Sequence, residues 1–97
     1  MGVKFGREYS DIQKELTAAI SKITDVHVFL EMEAADWDLL AEDEQLECIG
    51  TLTDDLFYAL GTEPVCHVGS GSVRYDHERH VIIVRSSGGL ATVISLI

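Results

Sequence analysis

The sequence predicts an α+β fold in which two helices pack on one face of a mostly antiparallel sheet. Three observations support this class: helical spacing of apolar residues early in the chain, alternating spacing later, and turn-forming residues between the alternating segments. The predicted order is helix, strand, helix and then three or four strands. Because the 97 residues contain no repeat and no linker-like stretch, we expect residues 1–97 to form a single domain.

The first helix is predicted over residues 11–23. Its apolar residues recur at intervals of three and four, as expected for one face of a helix. These residues are Ile12, Leu16, Ala19, Ile20 and Ile23. Ser10 and Gln13 have the spacing of a capping box, which indicates that the helix begins at this point.

The segment 26–30 is predicted to be a strand, because it is short and rich in β-branched and aromatic residues. Val26, Val28 and Leu30 would then share one face of it. Val3 and Phe5 also alternate with polar or small neighbours, which suggests a further short edge strand.

The second helix is the element that the sequence indicates most strongly. It is predicted to begin at Ala41 or Glu42, and Gly61 with nearby Pro64 ends it. The acidic residues in its first turn suit the positive end of the helix dipole. Its core-facing residues are Leu46, Ile49, Thr53, Leu56, Phe57 and Leu60.

Alternating apolar residues in the last part of the chain predict four strands. They fall at residues 65–68, 73–75, 79–85 and 90–97. The predicted turns fall at residues 69–71, 76–78 and 86–89. Since these turns are short and contain Gly, Ser or Asp, successive strands are expected to form antiparallel hairpins.

The last predicted strand carries no charge after Arg85. An exposed edge of this composition would associate with other strands. The sequence leaves two alternatives: the strand lies in the centre of the sheet, or it pairs across a two-fold axis to build a homodimer.

Charge is the most informative bulk property of the chain. Seventeen acidic against seven basic residues give a net charge of −10. Residues 23–73 contain twelve acidic residues and neither Lys nor Arg, so this segment carries −12 and the remaining residues sum to +2. Such a field repels nucleic-acid phosphates and anionic lipids, so we expect neither nucleic-acid nor membrane binding.

The longest apolar run, at residues 56–60, has five residues, and the run at residues 81–84 has four. They are far shorter than the ~20 residues that a membrane-spanning helix needs. Residues 1–22 contain no apolar run of signal-peptide length, and the two cysteines, Cys48 and Cys66, are predicted to be free thiols. We therefore expect a cytoplasmic protein.

Cys66, His67, His77 and His80 are the best candidates for a metal site. Neighbouring strand residues point to opposite faces, however, so Cys66 and His67 cannot both reach one ion without a bulge. A Cys66 nucleophile would need a nearby cation, and no Lys or Arg precedes Arg74 in this part of the chain. We predict no catalytic residue, no cofactor and no metal.

The leading hypothesis is a small acidic protein-binding module of the inhibitor, immunity, antitoxin or regulatory type. Its carboxylates would attract a basic protein partner, and in one variant they would imitate the phosphates of a nucleic acid. The candidate partner-binding residues are Trp37, Asp38, Glu42, Asp43, Glu44, Glu47 and Tyr58. The alternative is a homodimeric small-ligand or metal-binding domain that uses Cys66, His67 and His80.

Overall fold

The described part of the chain folds as four helices followed by a four-stranded antiparallel sheet. The computed structural model describes residues 3–86 and 88–97. The helices are α1 (Tyr9–Ile20), α2 (Val26–Phe29), α3 (Ala34–Asp38) and α4 (Glu42–Ala59). The strands are β1 (Val65–Val68), β2 (Gly71–Asp76), β3 (Val81–Arg85) and β4 (Ala91–Ser95), and they lie in the order β1-β2-β3-β4. The predicted α+β class and the three successive hairpins are confirmed.

The core lies between one face of the sheet, called the inner face here, and the helices α1 and α4. Helix α1 packs on β3 and β4, and α4 packs along α1. The buried residues of the inner face are Val68, Val73, Ile82, Val84, Ile94 and Leu96. The helices add Ile12, Leu16, Ile20, Ile49, Leu52 and Leu56. Because strand residues alternate between faces, the other face of the sheet, the outer face, is open to solvent.

Helix α1 begins and ends earlier than the apolar spacing suggests. The backbone N–H groups of Asp11 and Ile12 donate to the carbonyl of Glu8 at 3.1 and 3.2 Å, so the helix starts before Ser10. The predicted capping box at Ser10 is therefore wrong. Ile23 lies beyond the end of the helix but remains buried in the core, which explains why it fits the helical spacing.

The prediction of a strand at residues 26–30 is wrong, because this segment forms the short helix α2. The Val28 N–H donates to the Asp25 carbonyl at 3.1 Å, and the Leu30 N–H donates to the Val26 carbonyl at 3.3 Å. These local bonds satisfy the backbone without a neighbouring strand. Only Val26 enters the core, whereas Val28 and Phe29 are 57% and 43% exposed. Backbone hydrogen bonds within the segment thus outweigh the β propensity of its side chains.

The C-terminal strand β4 lies at the edge of the sheet, so the first of the two alternatives, a central position, is wrong. Each strand pairs with its sequence neighbour, and a meander of this kind leaves its last strand at one edge. The strand suggested at Val3 and Phe5 is also absent from residues 3–5. Instead, the backbone N–H groups of Gly6 and Arg7 donate to the Leu96 carbonyl at 2.7 and 3.2 Å.

The turns of the sheet lie near the predicted positions, but their limits differ. Gly71 and Asp76, predicted in turns, belong to β2, and His80, predicted in a strand, lies in the second turn. Gly69, with φ +57°, and Ser70 join β1 to β2, and residues 77–80 join β2 to β3. The predicted turn at residues 86–89 includes Ser87, which lies outside the described residues.

Candidate protein-binding surfaces

The acidic residues predicted to bind a partner lie together at the end of α3 and in the first turns of α4. Asp38, Glu42, Asp43, Glu44 and Glu47 are all exposed. We call these five residues the acidic face. At 3.6 residues per turn, most of its α4 carboxylates lie opposite the buried side of that helix, so they project into solvent.

One member of the acidic face also has a structural role. The Glu44 carboxylate accepts a hydrogen bond from the Ala41 N–H at 3.0 Å. This contact is the return half of a capping box, and it satisfies a backbone donor ahead of the first turn of α4. Glu42, Asp43 and Glu47 are therefore the better positions at which to test charge alone.

Trp37 was predicted to lie on the surface, but the structure buries it. Its side chain is only 8% exposed and belongs to the hydrophobic core. Helix α3 has the sequence AADWD, so Trp37 is its one large apolar side chain and turns inward. Its carbonyl accepts a hydrogen bond from the Gln45 side chain at 2.8 Å, which fixes α3 against α4.

Leu39 supplies the exposed apolar group that Trp37 was expected to supply. It follows Asp38 directly, precedes α4 by three residues and is 83% exposed. Sequence reasoning missed it because Leu39 and Leu40 are adjacent in an irregular segment, where no periodicity tells which one is buried. An exposed apolar side chain adds apolar contact area when a partner covers it, with the surrounding polar groups forming the rim of the interface.

Tyr58 is 84% exposed, in agreement with a surface position. It follows Glu47 by eleven residues, which corresponds to about 16 Å along the same side of a helix. Tyr58 therefore lies at the far end of the solvent side of α4, well separated from the acidic face.

Two of the seven basic residues lie on a different part of the molecule, in the sheet. Arg74 and Arg85 belong to β2 and β3 and are both exposed. Their register partners, Ile83 and Ser72, alternate with the buried residues of these strands, which places both arginines on the outer face of the sheet. These two arginines thus lie on the sheet, away from the acidic face, whereas Lys14 belongs to α1.

Cys66, His67 and His80 do not form a metal site within one chain. Cys66 and His67 are neighbours in β1, where His67 pairs with Ser72 at one end of β2. His80 lies in the turn that follows Asp76, at the other end of β2. Four strand residues separate these ends, or about 13 Å. Within residues 3–86 and 88–97, no group of three or more His, Cys, Asp or Glu residues is arranged to hold a metal ion.

The environment of Cys66 is the opposite of an activated thiol. Burial raises the pKa of the Cys66 thiol, and the negative charge of Glu63 raises that pKa further. The thiol is therefore protonated at neutral pH, whereas a nucleophilic cysteine requires the thiolate.

A groove that sequence reasoning missed runs between α4 and the edge strand β1. It has a volume of about 390 Å³. Its apolar lining residues are Phe29, Leu52, Leu56, Ala59, Val65 and Cys66. Asp55 and Glu63 also line it, and both are exposed. We call it the β1 groove. Its members come from three elements, α2, α4 and β1, so only the tertiary structure reveals it.

The other edge of the sheet, β4, exposes apolar side chains. Val93 is 61% exposed, and Leu90 and Ile97 on either side of the strand are exposed as well. The Arg7 guanidinium donates to the Ser95 carbonyl at 2.9 Å and forms an ion pair with Glu15. The N-terminal segment therefore covers one end of this edge and leaves the other end open.

Comparisons of the chain with protein-family models, with curated proteins and with solved structures found no significant match. No helix in the described ranges, 3–86 and 88–97, is long and apolar enough to cross a membrane.

Proposed function

We propose that the protein is a small protein-binding module that presents the acidic face to a basic partner. The observation that carries this proposal is the clustering of exposed carboxylates around Leu39, in a segment with neither Lys nor Arg. A cluster of negative carboxylates accelerates the encounter with a basic protein, and an exposed leucine adds contact area once the partner is bound.

The role is that of an inhibitor, immunity factor, antitoxin or other regulator, without catalysis, in the cytoplasm. The raised pKa of the Cys66 thiol argues against a thiol nucleophile. Both cysteines are unpaired, which suits a reducing compartment. In the mimicry variant the carboxylates occupy a cleft that otherwise binds phosphates, and the protein itself binds no nucleic acid.

The test is capture of partners from a host lysate on the immobilised protein, with elution in a salt gradient. We expect a basic protein that elutes at moderate salt, because screening weakens attraction between exposed charges. The variant E42Q/D43N/E47Q should lose this protein. Its matched control, E8Q/D11N/E78Q, removes three exposed acidic groups elsewhere and should retain it.

Equal capture by the two variants would show that only total charge matters and would refute the acidic face as a binding surface. Competition between the captured partner's nucleic acid and the protein would distinguish the mimicry variant from the other regulatory roles. Leu39→Ser provides an independent check: it should weaken binding with little effect on stability, because Leu39 is almost fully exposed.

A second candidate property is self-association through β4, which the edge position and the exposure of Val93 favour. Two copies would pair their β4 strands across a two-fold axis. Analytical ultracentrifugation should then give a dimer for the native chain and a monomer for Val93→Lys, since Lys blocks edge pairing. A monomer at every concentration would exclude this property.

A further inference from the structure

We propose that the β1 groove and the free edge of β1 bind an extended segment of a basic partner by strand addition. The inference rests on the proposed function, because it assumes a partner rich in Lys and Arg. It adds a binding mode and a second contact surface, since the β1 groove does not include the acidic face.

The hydrogen-bonding pattern of the sheet leaves the outer edge of β1 open. The Tyr75 N–H donates to the Pro64 carbonyl at 2.8 Å. This bond shows which residue pairs of the β1–β2 ladder are hydrogen-bonded and which are not. In an antiparallel pair the bonded positions alternate, so Cys66 and Val68 bond to β2 and Val65 and His67 face away from it. Each of these two outward residues offers one N–H and one C=O to a further strand.

Among the described residues, no backbone hydrogen bond outside the ladders uses Val65 or His67. An added strand would lie about 4.8 Å from β1, which is the ordinary spacing between paired strands. It would make up to four backbone hydrogen bonds, two with each residue. Main-chain bonds of this kind give affinity in strand addition, and pockets for alternate side chains give specificity.

The β1 groove lies where alternate side chains of an added strand would point. Helix α4 contributes Leu52, Leu56 and Ala59 from above the edge, and Phe29 closes the groove from α2. Cys66 belongs to the inner face of β1, so side chains next to it on an added strand would enter the groove. These side chains are expected to be apolar and of the size of valine or leucine.

The charges around the groove select a basic segment. Asp55 and Glu63 line it and are exposed, and Lys and Arg are absent from residues 23–73. The negative charge of Glu63 also contributes to the raised pKa of the Cys66 thiol, which lines the same groove. A segment in which apolar residues alternate with Lys or Arg therefore matches both the apolar lining and the carboxylates.

The experiment is a titration of the ¹⁵N-labelled full chain at low salt with a short capped peptide in which valine alternates with lysine. We expect amide shifts concentrated at Val65, Cys66 and His67, and slower hydrogen exchange of the Val65 and His67 amides. The same peptide with glutamate in place of lysine should bind about tenfold more weakly, because each carboxylate at the groove then repels instead of attracting.

Two matched variants separate the two edges of the sheet. Val65→Pro removes an outward N–H from β1, and Val93→Pro removes the equivalent N–H from β4. Binding of the lysine peptide should fall about tenfold in Val65→Pro and stay unchanged in Val93→Pro. If Val65→Pro does not fold, D55K/E63K serves instead, and it should reverse the preference between the lysine and glutamate peptides.

Equal binding of the lysine and glutamate peptides, shifts located at β4, or equal effects of the two proline variants would each overturn the proposal. The outcomes also separate it from the proposed function. A natural partner that depends on the acidic face but ignores Val65→Pro would remove the β1 site and keep the function. Peptide binding at β1 without any salt-dependent partner would keep the β1 site and remove the proposed function.

Discussion

Asp25 holds the β1–β2 turn by accepting two hydrogen bonds from Ser70. Its Oδ1 atom lies 3.0 Å from the Ser70 backbone nitrogen and 2.9 Å from the Ser70 hydroxyl oxygen. These bonds connect the segment between α1 and α2 to the first hairpin of the sheet. They stabilise the charged carboxylate and hold the pKa of Asp25 below its ordinary value of 3.8.

The first prediction follows from the lowered pKa of Asp25. A carboxyl group whose folded pKa is below its unfolded pKa stabilises the fold fully above pH 3.8 and loses this effect as the pH falls through the folded value. Asp25→Ala should therefore lower the urea midpoint at pH 7, and the difference from the native chain should shrink below pH 3.8. A difference that stays constant from pH 7 to pH 2.5 would contradict this account.

The second prediction concerns Gly69, which lies against Asp25 in the same turn. Its φ is +57°, and a Cβ atom added there would lie 2.6 Å from the Asp25 Oδ1 atom. Gly69→Ala should destabilise the protein by about 1–2 kcal/mol from backbone conformation alone, with a further cost from the close contact. Gly88→Ala is the matched control, because its added Cβ meets nothing within 4 Å. Equal unfolding temperatures for the two variants would refute the prediction.

The third prediction concerns a pair of hydroxyl groups between α1 and α4. Thr53 is fully buried, and its hydroxyl donates to the Ile49 carbonyl at 2.8 Å and accepts from the Thr17 hydroxyl at 3.1 Å. Thr53→Val should cost about 1–3 kcal/mol in chemical denaturation, because it leaves the Thr17 hydroxyl without this acceptor. The double variant T17V/T53V should cost less than the sum of the single variants, and strict additivity would show that the pair is uncoupled.

The fourth prediction concerns the N-terminal cover over β4. Arg7→Met removes the hydrogen bond to the Ser95 carbonyl and the ion pair with Glu15. Exchange of the Gly6 amide, which donates to the Leu96 carbonyl, should become faster. Glu15→Gln should have a smaller effect, since it leaves the bond from Arg7 to Ser95 in place. Unchanged exchange of the Gly6 amide in Arg7→Met would show that the backbone bonds alone hold this segment.

Much of the fold was predictable because α4 and the sheet follow regular periods. The spacing from Ile49 to Leu60 indicated α4 correctly, although Leu46, predicted to face the core, is 42% exposed. The glycine-containing turn near residues 69–71 indicated the first hairpin. Residues 26–30 misled because β propensity describes how side chains fit a sheet, whereas that segment packs against β1 without pairing with it. Its local hydrogen bonds decided the outcome.

The candidate sites were harder to predict than the fold. Composition located the acidic segment, but burial decided that Trp37 packs inside while its near neighbour Leu39 is exposed. The β1 groove depends on the tertiary structure placing Phe29, Leu56 and Cys66 around one cavity, which no local pattern in the sequence encodes. Charge is thus visible in a single sequence, whereas the shape of a surface requires the tertiary structure.

The most direct test of the central claim is the association rate constant of the captured partner with the native chain and with E42Q/D43N/E47Q. At low salt we expect the variant to associate about tenfold more slowly, and we expect the difference to shrink at physiological ionic strength, where the Debye length is about 8 Å. Equal rate constants at low salt would contradict the claim that the acidic face guides the partner.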